Sequence, residues 1–377
     1  MSTTGPLRAA VLLDLRPRKL GSLEGWLVGL TREARSRGHT VHVFSRGPAH
    51  PSFLAALEGA GGAWSPIDPL IRRPVAGVRE LRRYDLVQLN LFGARSRAAL
   101  VAYAAWPARV LFVERTSAYT ATRSTPAARL KQWLLNRLTV PRIAGLAGVS
   151  DYARARTARH LGLDENRTLT IYNGVSLERF APAPRSRQAD RPLSVVVVAH
   201  LIPEKGVDVL LKAFAAIEDR EARLVVVGDG PELEALRGLA GRLGISHRTE
   251  FAGLRDDVQI PLQSADVFVH PAIWAEAFGW TIAEAMACGC AVIASRSGGI
   301  PELVENGESG LLVEPGSVEE LTTALNRLLS SQGLRERLAQ AARRRVEERF
   351  SLARSAALHV SWWENAVRAG NRQVAQG

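Results

Sequence analysis

The chain has 377 residues, 46% of them apolar and 23% charged, with a formal net charge of +12 at pH 7. That length suggests two domains of ordinary size, and no apolar run approaches the ~20 residues that would cross a bilayer. Cys288 and Cys290 are too few for a disulfide framework or a zinc site, and buried reduced thiols fit a cytosolic protein.

Short apolar runs alternate with helical patterns along the whole chain, the signature of parallel α/β sheets. The N-terminal apolar core reads as a first strand rather than a signal peptide. In the first half the strand candidates are 9–15 (AAVLLDL), 40–45 (TVHVFS), 86–91 (LVQLNL), 110–114 (VLFVE) and 145–150 (GLAGVS), and residues 21–39 form an amphipathic helix between the first two. Residues 181–192, APAPRSRQADRP, lack periodicity and read as a linker. A second series follows at 194–200, 223–228, 249–253, 267–271 and 291–295. The expected fold class is α/β, with two doubly wound domains, 1–180 and 193–360, facing a cleft with ligands at the carboxyl ends of the strands. Residues 351–367 are helical and place Trp362 and Trp363 as packing anchors. A terminal helix over about 361–377 is expected to pack back on the first domain.

The charge is unevenly spread. Residues 1–185 hold 28 Lys and Arg against 12 Asp and Glu, and the remainder 21 against 25. Within the first part, Ala127–Ile143 reads as a basic amphipathic helix up to Pro141. Such a face suits anionic headgroups or an anionic acceptor, and equally a helix packed on a sheet with solvated arginines. Zinc-finger spacing, RNP-type aromatics and a basic zipper are all missing, so nucleic acid is not an expected partner.

The most informative stretch is Trp274–Ser297, which holds Glu276 and Glu284 with seven residues between them. In one straight helix these would lie ~12 Å apart along the axis. Gly279 lets the chain turn, so that Glu276 folds over the helix start and Glu284 lies about a turn inside it. Two carboxylates beside a helix N-terminus combine acceptors for sugar hydroxyls with a place for phosphate, as a nucleotide sugar would need. His200 and Lys205 lie in a loop after the first strand of the second domain, before a helix start, where a cation can meet a diphosphate. This loop is not GxxxxGK[ST]. Gly228-Asp-Gly230 resembles the start of a dinucleotide fingerprint, with Glu250 about 20 residues on, but Leu233 replaces the third glycine; a tight strand–helix turn is the simpler reading. Gly298-Gly299-Ile300-Pro301-Glu302 fits a loop whose backbone approaches a ligand, and Asn173-Gly174 is a turn signal.

Together these pieces resemble the retaining GT-B glycosyltransferases of family 4, over nearly the whole chain and most strongly over 195–316. The matching segments are HLIPEKGVD, VVVGDGPELEAL, FAGLRDDV, ADVFVHPA, EAFGWTIAEAMACG and GGIPELVENGESGLLVEPG. The resemblance implies that Glu284 holds the nucleotide ribose, Glu276 contacts the donor sugar, Lys205 binds the diphosphate, the amides of Phe278, Gly279 and Trp280 line sugar and phosphate, and the Leu254 backbone lies near the base. The sequence departs from the family's habit at three places. His200 stands where arginine is common. Gly21-Ser22, the amino-terminal donor loop, stands where Gly-Gly is common. Glu114 and Arg115 follow the fourth strand, where many members carry a histidine near the reacting sugar.

The implied reaction moves a hexosyl group from a UDP- or GDP-linked sugar to an acceptor hydroxyl with retention, in glycan or glycoconjugate synthesis. Lys205 and His200 would stabilise the leaving diphosphate. No Asp-x-Asp triplet suggests a metal, and no cofactor beyond the donor is expected. Arg16, Arg18 and Lys19 after the first strand, with Glu114, Arg115 and Arg123, form the expected acceptor rim. The acceptor is a glycan, a lipid-linked sugar or a small molecule, and the enzyme is expected in the cytoplasm, with peripheral contact at the inner membrane face. Alternatives are transfer to a small natural product, a nucleotide-sugar 2-epimerase, and an inactive sugar-nucleotide-binding protein.

Overall fold

The computed structural model describes residues 5–94, 96–116, 125, 133–134, 136–183 and 191–375. It divides into two compact units, one of Met1–Gly174 with Leu352–Gly377, the other of Val175–Ser351. The second unit closes on itself where Val175 N–H donates to Phe350 O at 2.9 Å, so the division falls a few residues before the expected linker. Most of that linker, Arg123, and much of the expected basic helix at 127–143 lie outside the described residues. In the described part of that helix, Trp133, Leu134 and Leu138 are exposed, and the Arg137 guanidinium stands 4.9 Å from the Trp133 ring centroid. Among the described residues no helix is long and apolar enough to cross a membrane.

The first unit is a seven-stranded parallel sheet: β1 (Arg8–Leu13), β2 (Thr40–Ser45), β3 (Ala63–Pro66), β4 (Leu86–Asn90), β5 (Arg109–Glu114), β6 (Ile143–Gly148) and β7 (Thr168–Thr170), ordered β3-β2-β1-β4-β5-β6-β7. The five strands expected from sequence are its centre. The two that were not expected, β3 and β7, are edge strands of four and three residues, too short to show a period. The helix Ser22–Ser36 turns Trp26, Leu27 and Leu30 inward. The terminal helix, Leu352–Ala375, joins the two expected helical stretches in one and packs on this same unit. A Cβ at Gly29 would lie 2.8 Å from the Leu352 side chain, so the two helices pass closely there. Both tryptophans of that helix are buried anchors: Trp363 is fully enclosed, with its indole donating to Gln88 Oε1 at 2.7 Å, and Trp362 is nearly so.

The second unit is a six-stranded parallel sheet: β8 (Ser194–Val198), β9 (Arg223–Val227), β10 (Thr249–Gly253), β11 (Val267–His270), β12 (Ala291–Ser295) and β13 (Leu311–Val313), ordered β10-β9-β8-β11-β12-β13. Its core joins the near-continuous Val/Ile/Leu faces of these strands to Leu210, Phe214, Leu325 and Leu328 of the covering helices. The order reverses between β8 and β11. Loops leaving the carboxyl ends of those two neighbours diverge to opposite faces and open a crevice, the place where such sheets bind ligands.

Candidate active site

The crevice of the second unit is built by loops after β8, β11 and β12, and they touch through backbone. Gly206, at φ 64°, starts the helix Val207–Ala216, and a Cβ there would stand 2.2 Å from Pro271 O. Ile273 N–H donates to Glu204 O at 2.9 Å. Gly298, at φ 59°, passes so close to the β11 loop that a Cβ would lie 2.0 Å from Glu276 O, and Gly299 N–H donates to that same carbonyl at 2.8 Å. The Gly-Gly and Lys-Gly signals in the sequence are thus the places where neighbouring loops meet without room for side chains.

This packing brings Lys205 to Glu276. The Lys205 ammonium pairs with Glu276 Oε1, with the two side chains 19% and 13% exposed. Trp274 Nε1 donates to Oε1 at 3.1 Å, and His270 Nε2 stands 3.4 Å from it, an ion-pair distance rather than a full hydrogen bond. Lys205 Nζ also lies 5.3 Å from the Trp274 ring centroid. Burial raises the Glu276 carboxyl, but the contact and charge of His270 and the Lys205 ammonium outweigh it and hold the group well below the usual carboxylate range. Both hydrogen-bond donors, Lys205 and Trp274, take Oε1 rather than Oε2.

Glu284 lies in the helix Trp280–Ala287, 2% exposed. Gly279 precedes that helix at φ 94°, which makes the turn expected between the two glutamates. Phe278 is buried, with its ring 5.8 Å from that of Phe350, so its side chain belongs to the core. The helix's far end is held by Arg343, which donates to Ala287 O at 2.6 Å, a cation at a C-terminus. His200 is exposed, and its Nδ1 lies 2.7 Å from Asp229 O. Donation to that carbonyl leaves Nε2 outward as a lone pair on a neutral ring. Gly228 and Gly230 serve the tight turn: Cβ atoms there would meet the backbone oxygens of Ala199 and Leu201 at 1.8 and 2.4 Å. Glu250 is exposed on β10, and Leu254, just beyond that strand, is 71% exposed.

In the first unit, Gly21 and Ser22 open the helix after β1. Glu24, three residues into it, reaches back to the Gly21 amide, half of a capping box, and burial raises its carboxyl although that hydrogen bond, its own amide and Lys19 pull the other way. Arg16 and Arg18 are exposed, and Arg16 Nε donates to Pro48 O at 2.9 Å. Glu114, the last residue of β5, and Arg115 are both buried. Glu114 accepts from the Thr116 amide and hydroxyl, each at 2.7 Å, and from Thr157 at 3.2 Å. Arg115 donates to Asn90 and Asn173 and lies 3.8 Å over the Trp26 ring; burial lowers its pKa to about 9.

Two residues at the Glu276 carboxylate, His270 and Trp274, and Thr281 beside the His270 ring, were not singled out from sequence. His270 sits inside a strand pattern, VFVHP, where a lone histidine reads as one more strand residue. Its signal is positional, since it is the last residue of a central strand at the switch point.

Comparison with known proteins identifies the family. The family profile "Glycosyl transferases group 1" matches residues 182–345, and "Glycosyltransferase Family 4" matches 24–179. A Mycobacterium tuberculosis protein named GDP-mannose-dependent alpha-(1-6)-phosphatidylinositol monomannoside mannosyltransferase is 32% identical over 350 residues, 84% of this chain and 87% of that one. A Mycolicibacterium smegmatis protein of the same name is 36% identical over 200 residues, so there the match spans only about half of each chain, 48% and 52%. The M. tuberculosis phosphatidyl-myo-inositol mannosyltransferase is 31% identical over 346 residues, 85% and 87%. Anabaena Alr3699/HepE in complex with UDP shares the fold at a TM-score of 0.79, with 22% identity over 96% of this chain and all of that one. The chain therefore belongs to glycosyltransferase family 4, the group 1 type, and is a retaining GT-B hexosyltransferase that draws on a nucleotide-sugar donor.

Proposed function

We propose that this enzyme transfers mannose from GDP-mannose to a hydroxyl of an anionic, lipid-linked acceptor at the membrane surface. The observation that carries the donor half is the Glu276 carboxylate, with Oε1 anchored by Lys205 and Trp274 and Oε2 left for a hydroxyl of the sugar. Lys205, beside it, meets the diphosphate, the amides of Phe278, Gly279 and Trp280 line sugar and phosphate, Glu284 takes the ribose hydroxyls, and Leu254 lies near the base. In the reaction the acceptor oxygen bonds to the anomeric carbon on the face from which the diphosphate departs. The carbon–oxygen bond to phosphate breaks, and the acceptor proton passes to the leaving phosphate oxygen. Lys205 and helix-end amides stabilise the charge that develops there, and no protein nucleophile is needed.

Support for the donor and acceptor comes from relatives named for GDP-mannose and phosphatidylinositol glycosides. Support for a membrane surface comes from the first unit itself. Arg72, Arg73, Arg79, Arg82 and Arg83 are exposed there, and Val75, Val78 and Leu100 line a cleft of about 420 Å³ edged by two of them. The test is turnover of GDP-mannose, UDP-glucose and UDP-galactose with vesicles containing phosphatidylinositol glycosides and with neutral soluble acceptors. Release of GDP that requires the anionic lipid is the expected result. Faster turnover of a UDP sugar, or full activity on a neutral soluble acceptor with no vesicle binding at low salt, would overturn the assignment. Donor epimerisation without transfer, or no turnover at all, would point to the epimerase or the inactive reading.

A further inference from the structure

The Lys205–Glu276 pair raises a question of charge. Lys205 cannot meet a diphosphate and keep its hold on Glu276 Oε1 at full strength. When it turns away, a carboxylate that is only 13% exposed loses its ammonium partner. A buried carboxylate without a donor is costly, so something must take the place of the lysine or the lysine will not leave.

His270 stands ready for that place. Its side chain is 5% exposed, and its Nε2 is buried with no hydrogen-bond partner. The nearest acceptor to Nε2 is Glu276 Oε1 at 3.4 Å, a few tenths of an ångström beyond a good hydrogen bond. On the other side of the ring, Thr281 Oγ1 lies 3.5 Å from Nδ1. Donation by that hydroxyl puts the ring hydrogen on Nε2, directed at the carboxylate. Trp274 Nε1 also holds Oε1, but as a neutral donor already fully engaged at 3.1 Å.

We propose that His270 is a positioning residue that takes over Glu276 Oε1 when Lys205 moves to the donor diphosphate. It keeps the carboxylate anchored and Oε2 presented to the sugar. His270 acts through Glu276 and touches no substrate. The inference rests on the glycosyltransferase reading of the site.

The experiment is a cycle of variants measured by calorimetric titration with GDP and UDP. A glutamine amide reaches roughly where Nε2 lies, whereas asparagine reaches only the Nδ1 position, so the two polar substitutions separate the Nε2 contact from packing. His270→Asn should weaken nucleoside diphosphate binding roughly tenfold, the scale of a hydrogen bond to a buried charge, and His270→Gln should stay within about threefold of wild type. In a Glu276→Gln background no carboxylate needs a partner, so His270→Asn should there change affinity less than about twofold. An equal loss in both backgrounds would make His270 a packing residue and overturn the proposal, as would no loss in either. Wild-type protein that binds neither nucleotide would instead refute the reading of the site itself, so the two failures are distinct.

Discussion

Replacing Glu276 by glutamine should move nucleotide binding and turnover in opposite directions. In the ligand-free protein the carboxylate holds Lys205 and Trp274 on one oxygen, so the lysine offered to the donor is already neutralised. A partly exposed ion pair contributes about 1 kcal/mol, and this is the part of the binding energy spent on freeing Lys205. Glutamine keeps an acceptor oxygen for the indole but lacks the charge, so Glu276→Gln should bind GDP or UDP about fivefold more tightly. Turnover should fall, because Oε2 ceases to be a charged acceptor for the sugar. A hydrogen bond to a charge contributes ~1.5–3 kcal/mol, which predicts a tenfold to hundredfold loss in kcat/KM for the sugar nucleotide. Stability supplies an internal check. The folded-state pKa of Glu276 is depressed, so the ionised group stabilises the fold above its unfolded value of 4.5, and that contribution is lost as pH falls through the folded value. The variant should melt below wild type at pH 7, with the gap closing in acid. Calorimetry with the free nucleotide, steady-state kinetics with the sugar nucleotide and melting curves at pH 7 and 4 test all three. Weaker GDP and UDP binding by Glu276→Gln would refute the view that the carboxylate competes for Lys205.

Glu284→Ala should weaken sugar-nucleotide binding tenfold to a hundredfold, the scale of ~1.5–3 kcal/mol for a buried charged hydrogen bond, and unchanged calorimetric affinity would sink its ribose role. His200→Arg should tighten nucleoside diphosphate binding by up to about tenfold, because a permanent cation replaces a ring whose outward nitrogen is a lone pair when neutral; no change would mean that this loop does not face the diphosphate. His359 is fully buried in the first unit, and burial, with the nearby Arg115 charge, lowers its pKa from 6.5 to about 3. The folded protein keeps it neutral while the unfolded chain takes up a proton below 6.5. Stability should therefore fall by about 1.4 kcal/mol per pH unit from there towards pH 3. Urea unfolding of wild type and His359→Leu at pH 7 and 5 reads this term, and equal pH slopes in the two proteins would contradict it.

What the sequence by itself determined is the part of the protein written in local patterns. Ten strands are visible in the sequence, most of them as buried Val/Ile/Leu runs, because a parallel strand covered on both faces has little choice of residue. The short edges β3, β7 and β13 are not, because three or four residues carry no period. The glutamate pair, the Lys-Gly and Gly-Gly loops and Gly279 were legible because each is a backbone demand tied to a fixed spacing. Tertiary structure alone decided how these pieces meet. Lys205 and Glu276 are 71 residues apart, and only the reversal of strand order between β8 and β11 brings them together. The same adjacency turns His270 from a strand residue into a neighbour of the carboxylate. Arg115 shows the limit from the other side. Its place after a strand suggested a cation for the acceptor; in the structure it is buried, and the guanidinium is held by Asn90, Asn173 and Trp26. A residue type and a strand end say which chemistry is available, whereas burial, set by contacts distant in sequence, decides whether a ligand meets it.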